Sequence, residues 1–364
     1  MTGSSAPDGT GGDSGPATRT RVAGQDLFAV VIPASNEEGY IGACLDALLA
    51  SDAAAGRVGI VVAANGCRDA TVAAAMARRP AAEARGWRLV VLDIPEGHKT
   101  GAINRADAAI DAGAFDAAPE PAGREAGPET AGPATADPAT AGLDTPGPKT
   151  AGPETGPETD PEAARGASLE TSPAPGLRAY LDADILLDPA MLGQLRAILD
   201  RPAPAYASGR LQVAPAQSRA TRAYARVWSR LPFMTGGVTG AGFYAVNAAG
   251  RRRWGQYPDL IADDIYVRLM FAPSERLGVP AAYSWPMAEG FSRLVRVRRR
   301  QNAGVDDIGR RWPELLVNEN KSRLGLGGLF GLALRRPADL AVYAAVAAAV
   351  RLTRRERQDW SRGR

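Results

Sequence analysis

Two aspartates one residue apart, Asp182 and Asp184, follow the apolar run Ala179-Tyr180-Leu181. Residues i and i+2 of an extended chain point to the same side, so a strand persisting to its tip would let both carboxylates converge. Two adjacent anions repel, and burying them unpaired is costly. A divalent cation resolves the conflict, because hard oxygen donors suit Mg²⁺ or Mn²⁺ and the ion can share its shell with a substrate's phosphates. The plain alternative is a solvated turn that holds two aspartates. A second acidic pair, Asp263-Asp264, stands at the amino end of a segment read as a helix, where first-turn carboxylates are favourable.

These acids need a scaffold, and the chain spells one out. Residues 27–32 form a near-continuous apolar run, as in a central strand covered on both faces. Pro33 is expected to end it, and residues 34–38 to supply the cap and first-turn acids of a helix carrying Ile41, Cys44, Leu45, Leu48 and Leu49. A second buried strand at 58–62 runs into the turn signal Asn65-Gly66. A third, 87–92, leads to a glycine-bracketed loop at 97–104 that opens a helix. Such alternation predicts a mostly parallel sheet, whose ligands gather at the carboxyl ends of the strands. Beyond the paired aspartates, a helix starting at Asp188-Pro189, a strand at 206–213, a glycine-dense stretch that turns strand-like at 236–246 and a basic run at 293–300 complete the pattern.

From about 117 to 175 the composition changes to a five-residue repeat of the Ala-Gly-Pro-Glu-Thr type, almost without bulky apolar side chains. Such a segment cannot bury enough surface to offset chain entropy, so it reads as a disordered insertion looped out of one domain, tolerable because closure costs grow only logarithmically. Residues 1–24 read as a disordered lead-in that is neither signal peptide nor membrane span, which by default implies a cytoplasmic location. Of the 364 residues 45% are hydrophobic and 23% charged, as in ordinary soluble proteins. A formal net charge of +3 gives little support to nucleic-acid binding. Two cysteines and a single histidine, His98, exclude a structural zinc site. His98 reads as a loop hydrogen-bonder rather than a metal ligand. The apolar segments 324–334 and 338–352 are shorter than the roughly 20 residues that span a bilayer. They read as helices packed on the main domain, or, given their flanking arginines, as helices lying on an anionic membrane surface.

The order of motifs resembles the family 2 glycosyltransferases with the A-type nucleotide-sugar fold. The matching pieces are residues 31–37, 65–71, 99–104, 181–184 and 262–264. The resemblance implies a GT-A fold: α/β, a single Rossmann-like domain with a mixed, mostly parallel central sheet flanked by helices, at 25–310, and a C-terminal helical, basic extension at 311–364. It implies a metal-dependent, inverting transfer from a nucleoside-diphosphate sugar, a UDP-sugar favoured. Pro33, Ser35, Glu37, Asn65 and Asp69 would form the nucleoside pocket, and Lys99 would meet the nucleotide or its diphosphate. Asp182 would face the ribose or the metal, Asp184 would ligate Mg²⁺ or Mn²⁺ directly, Asp264 would be the catalytic base and Asp263 its support. Processive relatives carry Gln-x-x-Arg-Trp beyond the base; here Val297-Arg298-Arg299-Arg300-Gln301 keeps arginines without the glutamine and tryptophan. That departure favours single-sugar transfer, with Arg298 and Arg300 left to neutralise the leaving diphosphate.

Two other readings stay open at this point. A sugar-phosphate nucleotidyltransferase would need a glycine-rich phosphate loop after the first strand, where Pro33-Ala34-Ser35-Asn36-Glu37 stands instead. A non-catalytic scaffold of the same fold would have no need of the full set of carboxylates. The acceptor is not legible, and contact with an anionic membrane at the inner face of the cytoplasmic membrane follows only if the C-terminal helices lie on lipid.

Overall fold

The computed structural model describes residues 26–116, 176–320 and 324–353. The lead-in expected at 1–24 and the repeat insertion expected at 117–175 lie outside the described residues.

Eight strands make one mixed sheet: β1 (Phe28–Ala34), β2 (Val58–Asn65), β3 (Arg88–Ile94), β4 (Leu177–Leu181), β5 (Leu186–Leu187), β6 (Tyr206–Val213), β7 (Phe243–Asn247) and β8 (Arg276–Trp285), in the order β3-β2-β1-β4-β7-β6-β8-β5. β1, β2, β3 and β4 pair in parallel, as does β6 with β8, whereas β7 runs antiparallel to both β4 and β6. The fold is therefore the mixed, mostly parallel α/β architecture that the apolar runs predict.

Alternate residues of β1 feed opposite cores, as period-2 geometry requires. Phe28, Val30 and Ile32 pack with helices α1 (Ile41–Leu49) and, beyond the short helices α2 (Thr71–Met76) and α3 (Arg79–Ala84), with residues of the later helix 191–199. Ala29 and Val31 pack instead with α4 (Lys99–Asp111). Helices α5 (Met191–Leu199), α6 (Arg219–Trp228), α7 (Pro232–Thr235), α8 (Ala248–Arg251), α9 (Asp263–Leu269), α10 (Phe291–Arg311), α11 (Leu326–Arg335) and α12 (Pro337–Leu352) complete the chain. A third apolar cluster joins α6, α10 and α12 through Tyr224, Trp228, Leu294, Val295, Val346 and Val350. Among the described residues no helix is long and apolar enough to cross a membrane.

Three local expectations are corrected. Pro33 does not end β1 but lies within it, opposite Ala63 of β2. β4 stops pairing at Val31, so on that side the strand has no neighbour asking for the amide hydrogen that proline lacks. Residues 34–38 do not cap the next helix: α1 starts at Ile41 with no side-chain cap and no first-turn acid. Asn36 turns the chain in the left-handed region, at φ 52°, and the Glu37 backbone amide is drawn to Thr71 Oγ1 at 2.6 Å instead. β4 also ends at Leu181, so Asp182 and Asp184 sit on a turn closed by Ile185 N–H donating to Asp182 C=O. The turn, rather than strand alternation, leaves both aspartates in the lining of one cavity.

Candidate active site

The carboxyl ends of β1, β2 and β4 open into a cavity of about 940 Å³. β1 contributes Pro33, and the loop after it Ser35 and Glu37. β2 contributes Asn65, and the turn after β4 contributes Asp182 and Asp184. Asn65 is buried, and its amide donates to Ala34 C=O at 2.9 Å, which ties the ends of two parallel strands together. Across the cavity stand Asp263 and Asp264 on the first turn of α9 and Arg298 and Arg300 on α10. The glycine-dense stretch forms the wall between them, with Gly236, Gly237 and Gly242 in the lining. Gly242 has φ +67°, and a Cβ there would stand 2.9 Å from Asp182 Oδ2. Glycine at this position is what lets the backbone of β7 approach the first aspartate, whose N–H donates to Gly242 C=O at 2.8 Å.

Lys99, at the first position of α4, holds the two acidic groups together. Its Nζ lies 2.8 Å from Asp182 Oδ1 and 3.0 Å from Asp263 Oδ1. Burial works against the ammonium, but Asp182 and Asp263 outweigh it and raise its pKa, so Lys99 is charged at neutral pH. His98 caps α4, its Nδ1 accepting from Gly101 N–H at 3.0 Å, while Nε2 meets Asp259 at 2.9 Å. It is a hydrogen-bonding loop residue. Asp69 lies outside the cavity lining. Its Oδ1 accepts from Thr71 N–H and hydroxyl, and its Oδ2 from Glu38 N–H, which knits the loop after β1 to the start of α2.

Both carboxylates on α9 are raised. Burial first, and the Asp263 charge second, push Asp264 up to about 6, with Lys99 pulling the other way. Burial also raises Asp263, partly countered by Lys99. Arg300 is lowered by burial while Asp182, Asp263 and Asp264 act to raise it, so it belongs to the same electrostatic cluster. Cys44 donates weakly to Asp182 C=O at 3.8 Å. Burial, then the Asp184, Asp182 and Glu37 charges, raises its thiol far above the usual range. It stays protonated and packs in the core with Ile41, Leu45 and Leu48 of the same helix.

The donor chemistry suits a hard cation that completes its shell elsewhere. Asp182 and Asp184 offer oxygens to one cavity, and among the described residues no three His, Cys, Asp or Glu side chains are grouped to hold an ion by themselves. Two carboxylates plus diphosphate and water oxygens is the arrangement Mg²⁺ prefers. Sequence reasoning missed several lining residues: Arg268, Arg276, Phe233, Met234 and, from α12, Val350 and Arg351. The glycine-dense signal at 236–242 marked the wall they share, though not the side chains behind it.

A family profile described as "Glycosyltransferase like family 2" matches residues 25–118. No curated protein matches the chain. Similar solved structures include a mannosyltransferase, PcManGT from Pyrobaculum calidifontis with GDP-Man and Mn²⁺, 17% identical over 90% of this chain and 75% of that one, TM-score 0.46. S. aureus TarS 1-349 with UDP-GlcNAc is 12% identical over 89% and 81%, TM-score 0.42. Glucosyl-3-phosphoglycerate synthase from Mycobacterium tuberculosis, with Mn²⁺, UDP and glucosyl-3-phosphoglycerate, is 14% identical over 78% and 79%, TM-score 0.39. The matched segment 25–118 spans β1, β2, β3 and α4, the side of the cavity where Pro33, Asn65 and Lys99 stand.

Proposed function

We propose that the protein is a metal-dependent, inverting glycosyltransferase that moves one sugar from a nucleoside-diphosphate donor, a UDP-sugar favoured, to an acceptor hydroxyl. The observation that carries this reading is the placement of Asp263 and Asp264 at the start of α9, facing Lys99 and Asp182 across one cavity. In this reading Pro33, Ser35, Glu37 and Asn65 hold the nucleoside, with Asp69 fixing the loop they stand on. Asp182 and Asp184 hold Mg²⁺ or Mn²⁺, which when bound neutralises charge on the diphosphate. Lys99, Arg298 and Arg300 orient that diphosphate and stabilise it as it leaves. Asp264 takes the proton of the acceptor hydroxyl, whose oxygen bonds to the anomeric carbon as the carbon–oxygen bond to the diphosphate breaks. The electron pair of that bond departs with the nucleoside diphosphate. A carboxyl near pH 6 is well matched to this task at neutral pH. Asp263, held on Lys99, raises Asp264 and fixes its helix turn.

We take 25–310 as the transferase domain and 311–364 as an extension. On α11 Leu326, Phe330 and Leu334 are more than two-thirds exposed, beside Arg335 and Arg336. An apolar face bordered by arginines supports peripheral contact with an anionic membrane on the cytoplasmic side. Co-sedimentation with anionic against neutral vesicles tests this; equal recovery with both rejects it. The transferase reading is tested by a panel of nucleotide sugars with Mn²⁺ or Mg²⁺. Release of UDP that chelation stops and Asp184→Asn abolishes is expected, and undiminished, metal-independent turnover by that variant would refute the assignment of the metal carboxylates.

A further inference from the structure

The acids occupy only part of the cavity. The same opening is bounded by Trp228 of α6, Phe233 and Met234 of α7, Trp285 and Met287 around the end of β8, and Val350 of α12. These six side chains belong to, or pack against, the third apolar cluster, and Phe233, Met234, Trp285 and Met287 are only partly buried there. The cluster therefore presents its unfinished side to the cavity.

Its chemistry selects among acceptors. Trp228 and Trp285 stack on each other, centroids 5.4 Å apart and planes at 15°, and Phe233 meets Trp228 edge-on at 5.6 Å. The aromatic faces are largely spent on one another, which leaves little platform for a sugar ring. A carbohydrate in this arm would also surrender hydrogen bonds to water without partners from Phe233, Met234, Met287 or Val350, a costly exchange. Two methionines suit a ligand of adaptable shape, because their unbranched thioether side chains repack readily.

We propose that the acceptor is an amphiphile, a hydroxyl-bearing head at Asp264 with an apolar chain lying along Trp228, Phe233, Met234, Trp285, Met287 and Val350. This deepens, and rests on, the glycosyltransferase reading. The head hydroxyl loses its proton to Asp264 and gains the sugar, while the nucleoside diphosphate leaves with the electron pair. The chain takes no part in the chemistry and acts through acceptor binding alone.

The arm's own tryptophans supply the assay. The full-length protein, loaded with UDP and Mn²⁺, is titrated with n-alkyl glucosides from ethyl to decyl, each below its micelle concentration. Affinity is expected to rise by about tenfold or more across the series, since each buried methylene contributes. A 10-bromodecyl glucoside should quench tryptophan fluorescence, and Trp285→Phe should reduce that quenching with little loss of affinity. Met234→Glu should weaken decyl glucoside binding about tenfold, with UDP binding by the same variant as the check on folding. Should that variant misfold, the chain-length series on the unmodified protein decides the matter. Equal affinity for ethyl and decyl glucosides, with UDP bound normally, would overturn the amphiphile and leave the transferase standing. Failure of the unmodified protein to bind UDP would remove the transferase reading, and this proposal with it.

Discussion

Two ionic clusters lie at the opposite ends of one strand, the second on the turn that follows it, and they behave differently. Near the start of β4 Arg178 pairs with Asp107 at 2.8 Å and with Asp111 at 2.7 Å. Arg251 reaches the other Asp107 oxygen at 3.0 Å, and the Tyr180 hydroxyl donates to the same carboxylate. Four residues on, roughly 13 Å away along an extended chain, Asp182 begins the acidic group at the cavity. In the first cluster two carboxylates meet two guanidiniums, and burial, which pushes Asp107 up, is opposed by both arginines. In the second, Asp182, Asp263 and Asp264 act on Lys99, with Asp184 and Arg300 in the same cavity lining, and after burial the strongest influence on Asp264 is another anion, Asp263, which raises it further. A group whose carboxylates are matched by guanidiniums is architecture, even where Asp111 is exposed and the cluster borders a second, smaller cavity. An anion-rich group facing a cavity is poised for a cationic or protonic partner.

The comparison is broken most forcefully by swapping the measurements. Asp264→Asn should lower kcat by about 10² to 10⁴-fold, with the melting temperature and donor affinity nearly unchanged. A pure loss of affinity would demote Asp264 from base to binding residue. Asp107→Ala should do the reverse. It leaves Arg178, 4% exposed, and Arg251 without their shared carboxylate, and breaking such a pair costs about 3–5 kcal/mol. Urea unfolding should register that loss, while UDP affinity at low temperature stays within about twofold. If Asp107→Ala unfolds at the same denaturant concentration as the parent, the charge-balanced cluster is not structural.

A smaller effect sharpens the contrast through pH. Because burial and Asp263 hold Asp264 near 6, the base form is lost as pH falls through that value. Lys99, which lowers it, and Asp182, which raises it, are the other charges that face this group. Turnover should fall about tenfold for each pH unit below 6. Asp263→Asn removes the raising anion, so the acid limb should move to lower pH; a limb that stays put would assign it to another group.

How far the sequence could carry this comparison depends on separation along the chain. The apolar runs gave β1, β2 and β4 because burial on both faces writes itself locally, and the acidic pairs declared themselves by type and spacing. The charge-balanced cluster was invisible: Arg178 is 71 residues from Asp107, and Arg251 is 144, and no local pattern reports such pairings. Pro33 misled because a proline is silent about whether its strand has a neighbour on that side. Asp182 and Asp184 were expected to converge by strand alternation, yet β4 ends at Leu181 and a turn closed by Ile185 N–H carries both to the cavity, which no local pattern of types announces. The wall from α12 was likewise unreadable, since Val350 faces the cavity only once α12 has packed on α6.

That packing supplies the gentlest test. Asp339, in the first turn of α12, accepts from Arg226 Nε of α6 at 2.7 Å and pairs with Arg336 at 3.4 Å. The Arg226 hydrogen bond, foremost, holds its carboxyl below the usual range. A carboxylate depressed in the folded state stabilises the protein above its unfolded pKa, about 3.9, and that contribution disappears as pH falls through the lower folded value. Asp339→Asn should therefore cost about 1–2 kcal/mol at pH 7, and parent and variant should converge in stability towards pH 3. Because α12 supplies Val350 to the apolar arm, the same variant should weaken decyl glucoside binding while ethyl glucoside and UDP binding hold. A uniform drop in all three would mean that α12 steadies the whole domain, rather than one wall of its cavity.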